Sequence, residues 1–378
     1  MAYRVLALVP DAFGGRGGIA LYNRMLLRAI CSCPDVTEVI ALPRTVTYEL
    51  EAMPANLRYE KDSVGGKLRY AAAVLALGCR VRRADLVICG HLHLLPFARY
   101  LAWRFSCPML PVVYGIEAWR PTSHRVVNRM YGRLSAFISI RKYTTECFRN
   151  WAGIPYAKAY YLPNGIELAD YGVAPRRPDL VAKYGLAGRT VVMTAGRIDT
   201  SEYERNKGFD EMLETLPELA RDMPDVAYVI MGDGDARPYL EEKARALGVA
   251  DRVVFTGYVP EKEKADHYRL ADVVAMPGSN PVFDRYPFRF AFLEPLACGV
   301  PVVASRLEDP SEIDDPDARA LLIQVDPHDR ADIKRGVLAA LAKREQGVSP
   351  VLKNFGYGAF EARMSSILAD IWKTGVII

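Results

Sequence analysis

Along the chain, short unbroken apolar runs alternate with longer stretches in which apolar residues recur every three or four positions. The runs at 5–9, 39–42, 85–89 and 111–114 predict strands in the first half, and those at 191–195, 227–231, 252–256, 273–276 and 300–304 predict strands in the second. Runs of this kind, without polar alternation, are those of strands buried on both faces, and the helical patterns between them predict crossover helices. The fold class expected is therefore α/β, with two doubly wound, Rossmann-like domains of parallel strands. Leu162-Pro-Asn-Gly-Ile166, followed by the prolines at 175 and 178, punctuates the chain near its middle. The expected division is 1–165, 166–354 and a final helical segment 355–378 with no strand after it, free to cross back to the first domain.

Composition supports two ordinary domains. The chain has 378 residues, 51% of them hydrophobic and 25% charged, which is globular rather than disordered. The apolar N-terminal run stops at Pro10, short of a signal-peptide core, and the stretch 70–79 is far below the roughly 20 residues a spanning helix needs, so a soluble protein is expected. Seven cysteines, at 31, 33, 79, 89, 107, 147 and 298, show no paired spacing and read as buried, reduced, cytosolic thiols. The net charge of +4 conceals a split: residues 1–178 hold 24 Lys and Arg against 12 Asp and Glu, leaving 25 against 33 for the rest. A basic half attracts anions of several kinds, from nucleic acid to lipid headgroups.

Ligands of open parallel sheets bind beyond the C-terminal strand ends, which directs attention to five segments. Gly14-Gly-Arg-Gly-Gly-Ile-Ala20 contains Gly15, Gly17 and Ala20 at dinucleotide-fingerprint spacing, but the second strand ends in Pro43 without the acidic residue that would hold a ribose, so a dehydrogenase is set aside. What remains is either a plain loop or a glycine-rich entry to a helix whose free N–H groups attract an anion, with Arg16, Gly17 and Gly18 at its mouth. Gly196-Arg197, with Lys207-Gly208 ten residues on, offers two cations to a diphosphate. Asp233 and Asp235 form a DxD and His91 and His93 an HxH, but neither has companion ligands, so an ordinary turn is the better reading and no metal is assigned. Glu294 is a lone carboxylate in the apolar stretch between Tyr286 and Ser305, suited either to a ribose diol or to a helix dipole. Tyr114 and Glu117, in Val113-Tyr-Gly-Ile-Glu-Ala-Trp119, offer a phenol and a carboxylate to a sugar, or simply plug a tight turn.

Taken in order and spacing, these segments resemble retaining glycosyltransferase family 4, over essentially the whole chain and most specifically in its second half. Leu162-Pro-Asn-Gly-Ile166 resembles the family's interdomain phrase, Gly196-Arg197 with Lys207-Gly208 its diphosphate clamp, Gly232-Asp-Gly234 and Phe255-Thr-Gly257 its sheet turns, and Glu294 the second glutamate of its EX7E signature. The resemblance implies a GT-B fold, with 1–165 binding the acceptor and 166–354 the nucleotide sugar across a cleft. It implies that Arg197 and Lys207 stabilise the departing diphosphate, that Glu294 binds the ribose and that Val259 lies beside the base. Gly17 and Gly18 would approach the diphosphate, Gly196 would line the site, and Phe288, Arg289, Phe290 and Ala291 would offer backbone N–H groups. Arg16, His91, Tyr114 and Glu117 are the acceptor or sugar contacts it suggests. The sequence departs from the family at Tyr286, where the first EX7E glutamate would stand, at Arg289 in place of a glycine, and at Tyr114 in place of a histidine.

The function expected is metal-independent, retaining transfer of a sugar from a UDP or GDP sugar, with no cofactor, onto a glycan or lipid-linked acceptor of cell-surface glycan synthesis. Tyr286 motivates an alternative, a degenerate GT-B protein that binds a nucleotide sugar without turnover as a sensor or assembly partner. Lys61, Lys67, Arg69, Arg80, Arg82 and Arg83 flank an apolar run and suggest a cytoplasmic protein peripheral to an anionic membrane surface. The acidic second half and the lack of a basic–aromatic motif exclude nucleic acid as a partner.

Overall fold

The computed structural model describes residues 2–123, 125–200, 207–278, 290–306, 315–343 and 347–374. These form two compact units, one of residues 1–165 with 357–378 and the other of residues 166–356.

The first unit runs β1 (Tyr3–Val9), α1 (Gly18–Ser32), β2 (Val36–Pro43), β3 (Leu57–Tyr59), α2 (Lys67–Arg80), β4 (Leu86–Cys89), α3 (Leu95–Phe105), β5 (Met109–Val113), α4 (Arg125–Tyr131), β6 (Ala136–Ser139), α5 (Lys142–Ala152) and β7 (Lys158–Tyr161). The second runs α6 (Pro178–Tyr184), β8 (Thr190–Ala195), α7 (Phe209–Asp222), β9 (Val226–Met231), α8 (Arg237–Ala246), β10 (Val253–Gly257), α9 (Lys264–Tyr268), β11 (Val273–Met276), α10 (Phe290–Ala297), β12 (Val302–Ser305), α11 (Pro316–Arg319), β13 (Leu322–Val325) and α12 (Arg330–Leu341). The last helix, α13 (Tyr357–Thr374), belongs to the first unit.

The sheet orders are β3-β2-β1-β4-β5-β6-β7 and β10-β9-β8-β11-β12-β13, and every named pair is parallel. Each order reverses beside its first strand, β1 between β2 and β4 and β8 between β9 and β11, and at such switch points the flanking loops diverge and leave a crevice. The central strands carry the unbroken apolar runs because both faces are covered: Val5, Leu6, Ala7, Leu8 and Val9 are all fully buried. Helix α7 buries Phe209, Met212, Leu213, Leu216 and Leu219, the one-sided stripe of a helix lying on a sheet.

Helix α1 is buried on nearly all sides, because the sheet covers one face and α13 another. Phe360, Met364, Ile367, Leu368 and Ile371 form the buried stripe of α13. Tyr22 meets Phe360 edge-on with ring centroids 5.5 Å apart, and Trp372 stacks on Tyr3 at 3.7 Å. Asp370 completes the clasp, accepting from Lys158 Nζ at 2.6 Å and from the Tyr160 hydroxyl. All seven cysteines are free thiols, but not all are buried as their apolar contexts predict: Cys79 is exposed on the outer face of α2 and Cys147 is half-buried.

Candidate functional site

In the second unit the expected phosphate cations meet at the C-terminal end of β8. Gly196 follows the strand with φ +151 and its N–H donates to the Met231 carbonyl at 2.9 Å, so the loops after β8 and β9 run together. The Lys207 side chain lies across this glycine, since a Cβ there would stand 2.5 Å from Lys207 Cδ, and its ammonium donates to the Arg197 carbonyl at 3.4 Å. The Arg197 guanidinium points outward, with 64% of the side chain exposed and Asp199 3.8 Å away. Two cations therefore sit on one backbone turn, one lying along it and one reaching into solvent.

Gly232 and Gly234 make that turn possible. A Cβ on Gly232 would fall 1.9 Å from the Gly196 carbonyl oxygen and one on Gly234 1.9 Å from that of Ile198. The Ile198 N–H donates to the Asp233 carbonyl at 3.0 Å and the Ala236 N–H to the Ile198 carbonyl at 3.1 Å, stitching the two loops together. The DxD carboxylates brace the same loops, with Asp235 accepting from the Thr200 N–H and hydroxyl, each at 3.0 Å, and Asp233 from the Gly234 N–H at 3.0 Å. Among the described residues no group of three or more His, Cys, Asp or Glu side chains is arranged to hold a metal ion.

Glu294 lies in the middle of α10 and is 1% exposed. Tyr268 and Lys264, one turn apart on α9, each take one of its oxygens: the Tyr268 hydroxyl donates to Oε2 at 2.7 Å and Lys264 Nζ to Oε1 at 3.2 Å. Burial pulls the Lys264 ammonium down, but Glu294 and Glu261 outweigh it and hold the group above its ordinary range. Burial first, then Glu294, pushes the Tyr268 phenol well up. Val259 is buried in the loop that leads to α9, and Phe290 and Ala291 open α10, partly buried against the core. Tyr286, Phe288 and Arg289 lie outside the described residues.

In the first unit, the ends of β4 and β5 converge on α1. The Tyr114 ring is 7% exposed, and its hydroxyl lies 2.9 Å from both Asn23 Oδ1 and the Gly90 carbonyl, so the phenol is turned inward. Glu117 accepts from the backbone N–H groups of Tyr114 at 2.7 Å and Gly115 at 3.1 Å, closing the turn after β5. His91 stacks on Tyr114 with centroids 6.1 Å apart, and its Nδ1 accepts from the His93 N–H at 3.2 Å. Burial, reinforced by His93 and opposed by Glu117, holds the His91 imidazole below its usual pKa and so keeps it neutral.

The glycine-rich loop is half clamped and half open. Gly14 accepts from the N–H groups of Thr47 and Tyr48, and a Cβ on Gly15 would strike the Asp11 carboxylate at 2.1 Å. By contrast Arg16, Gly17 and Gly18 are exposed, a Cβ on Gly17 would meet nothing within 4 Å, and the Arg16 guanidinium lies 3.7 Å over the Tyr48 ring. Gly14 is thus fixed by backbone hydrogen bonds, and Gly15 leaves no room for a side chain.

Asn23 and Arg141 join the first-unit cluster without having been singled out from sequence. Asn23 is fully buried under the Tyr114 hydroxyl, and the Arg141 guanidinium, 8% exposed, lies 5.8 Å from the Trp119 ring and 3.5 Å from where a Gly115 Cβ would stand. Arg141 follows β6, a strand not picked out from the sequence, where Ser135 and Ser139 bound the run; had that strand been recognised, the strand-end rule would have found it.

Two parallel sheets of seven and six strands, each with its strand-end loops gathered at a switch point, define the GT-B class of fold. Residues 189–343 match the family model for glycosyl transferases group 1. A GDP-mannose-dependent alpha-(1-6)-phosphatidylinositol monomannoside mannosyltransferase of Mycolicibacterium smegmatis is 35% identical over 191 residues, 49% of this chain and 48% of that protein. A D-inositol 3-phosphate glycosyltransferase of Xylanimonas cellulosilytica is 29% identical over 238 residues, covering 58% and 53%. The chain thus spans about half the length of the curated relatives it matches. Across 97% of this chain and 99% of the other, the fold matches that of HepE from Anabaena, crystallised with UDP and glucose, with a TM-score of 0.71 at 18% identity. Sucrose-phosphate synthase from Thermosynechococcus elongatus matches with a TM-score of 0.70 at 16% identity, over 98% and 100%.

Proposed function

We propose that this chain transfers a glycosyl residue, with retention and without a metal, from a UDP or GDP sugar to a glycan or lipid-linked acceptor. The observation that carries this reading is the pair Arg197 and Lys207 on the turn after β8, within the segment that matches the group 1 glycosyltransferases. Breaking a sugar–phosphate bond places negative charge on the departing diphosphate, and cations already fixed at that point stabilise the charge without reorganising as it forms. In this reading Gly17, Gly18, Gly196 and the segment from Phe288 to Ala291 add backbone donors, Tyr286 meets the donor sugar, Val259 flanks the base and Glu294 serves the ribose. His91, neutral at physiological pH, and Arg16 face the acceptor, while Tyr114 and Glu117 support the wall behind it.

The mannosyltransferase and inositol glycosyltransferase relatives favour a membrane-borne or inositol-bearing acceptor. Exposed side chains on α2 and α3 support delivery at a bilayer: Leu68 is 88% exposed, Leu75 53% and, on neighbouring α3, Trp103 74%, and Lys61, Lys67, Arg82 and Arg83 in and beside α2 are exposed as well. Exposed apolar side chains together with exposed cations suit an anionic headgroup layer. No helix among the described residues is long and apolar enough to cross a membrane.

The first test is thermal stabilisation by GDP and UDP of the parent and of Arg197→Ala. Transfer assays with GDP-mannose and UDP-glucose in EDTA follow, with the anomeric configuration of the product read by NMR. Stabilisation lost in the variant, with a retained anomer, supports the proposal. Stabilisation without transfer to any acceptor selects the alternative of a nucleotide-sugar sensor, and stabilisation by neither nucleotide overturns both. Co-sedimentation with phosphatidylglycerol vesicles that persists unchanged in Leu68→Glu/Trp103→Glu would remove α2 and α3 from the reading.

A further inference from the structure

The carboxylate expected to face a ribose does not stand open. The Glu294 side chain is 2% exposed, while that of Lys264, bound to it, is 22% exposed and that of Glu261, bound to Lys264 at 2.9 Å, is 42% exposed. From solvent inward the order is Glu261, Lys264, Glu294, so a ligand arriving at this corner of the sheet meets the ammonium before it meets the buried carboxylate.

The hydrogen-bonding capacity left over specifies the ligand. An ammonium has three N–H donors, and among the described residues two are taken by Glu261 and Glu294. A carboxylate has about four acceptor positions; among the described residues Glu294 uses one on each oxygen, for Lys264 and Tyr268, and keeps one on each. One free donor beside two free acceptors is the complement of two adjacent hydroxyls, each of which donates to a carboxylate while one also accepts from the ammonium. Charge excludes a phosphate: one cation between two carboxylates leaves the group with net negative charge, which repels an anion. Arg197, by contrast, has one carboxylate, that of Asp199, at 3.8 Å and keeps 64% of its side chain exposed.

We propose that Glu261, Lys264 and Glu294 form one recognition unit for a neutral vicinal diol, with Lys264 in direct contact and Tyr268 positioning Glu294 from behind. This rests on the reading that the second unit binds a nucleoside diphosphate, whose ribose supplies the diol. Lys264 and Glu261 then decide between ribose and deoxyribose, a discrimination assigned from sequence to Glu294 alone.

The test uses the full chain and calorimetric titration with GDP and UDP, each against its 2′-deoxy analogue, on the parent, Lys264→Met, Lys264→Arg, Glu261→Gln and Glu294→Gln. A hydrogen bond involving a charged partner corresponds to roughly tenfold or more in affinity. The parent is expected to prefer the ribonucleotide by about that factor. Lys264→Met should erase the preference by weakening the ribonucleotide alone, leaving the deoxynucleotide affinity within about twofold of the parent's. Lys264→Arg should restore part of it. Equal weakening of both ligands in Lys264→Met makes the residue structural and overturns the proposal, as does a preference lost in Glu294→Gln but kept in Lys264→Met. A parent that binds both ligands equally sinks the proposal and leaves nucleotide binding standing; a parent that binds neither removes the underlying reading with it. Should Lys264→Met fail to give a folded circular-dichroism spectrum, Lys264→Arg and Glu261→Gln carry the same comparison.

Discussion

Replacing Gly232 by alanine tests whether the loops after β8 and β9 depend on backbone contact. The new Cβ would lie 1.9 Å from the Gly196 carbonyl oxygen, where real contacts essentially never fall under 3.0 Å, so the Gly196-Arg197 turn must retreat by more than an ångström or the β9 loop must lift. The residue also has φ +148, which L side chains rarely adopt. Overpacking costs about 1–3 kcal/mol and the backbone conformation about 1 more, giving roughly 2–4 kcal/mol. For a unit of this size that lowers the unfolding midpoint by roughly 5–15 °C. Gly17→Ala is the control: its φ of +91 is equally unfavourable, but nothing lies within 4 Å of the added methyl, so only the backbone cost of about 1 kcal/mol applies. Scanning calorimetry of the two variants, followed by titration with GDP and UDP, reads both the stability and the displacement of Arg197. A Gly232→Ala chain that melts with the parent, or no lower than Gly17→Ala, would refute the close-approach argument.

Lys207→Ala should leave the melting midpoint within a degree or two and weaken GDP or UDP binding by about 10- to 100-fold, the worth of a charged hydrogen bond to phosphate, as titration will show. Asp272 is 4% exposed and accepts from Arg176 at 2.5 Å and the Val191 N–H at 2.6 Å; Asp272→Ala strands both donors and should cost about 3–5 kcal/mol in urea unfolding. His91 is held neutral, its folded pKa lowered from 6.5 mainly by burial, so its contribution is intact above pH 6.5 and declines as pH falls below it and the unfolded chain takes up the proton. Unfolding at pH 7.5 and 5.5 should therefore show a smaller acid loss for His91→Asn than for the parent.

The long central strands were legible because burial on both faces leaves an unbroken apolar run. Of the strands that pass unnoticed, three fail this condition: β3 has three residues, β7 reads Lys-Ala-Tyr-Tyr at a sheet edge, and β13 carries Gln324; the fourth, β6, is buried throughout but bounded by Ser135 and Ser139. Within the proposed site, Gly196, Arg197 and Lys207 are suggested by chain order and strand ends. Lys264 could not, since Glu261-Lys-Glu-Lys-Ala-Asp266 reads as a solvated charged run. Only the helical spacing of Lys264 and Tyr268, set against α10, turns one of those charges inward. Asn23 was hidden for the opposite reason: it sits in the buried stripe of α1, where a polar side chain is informative only once its neighbours Tyr114 and Gly90 are known.

The second half of the chain is acidic, yet the site assigned to it must attract a diphosphate. Net charge is a poor guide here because screening acts over roughly 8–10 Å in physiological salt, whereas a phosphate on Arg197 or Lys207 would sit at about 3 Å. What matters is where the nearby carboxylates are committed. Asp235 is bound to Thr200 and Asp233 to its own turn, while Asp210 and Glu214 are both bound by Lys243. Asp233 and Asp235 are thus tied into the loops that shape the turn, and the Arg197 guanidinium, with Asp199 3.8 Å away, keeps most of its surface in water. At Glu261, Lys264 and Glu294 the balance is reversed, with carboxylates in excess over the cation, and a neutral diol is favoured over an anion. Two clusters of opposite local sign within one unit would orient a nucleoside diphosphate end to end, phosphates toward the loop after β8 and sugar toward α9, even in a domain whose overall charge opposes the ligand.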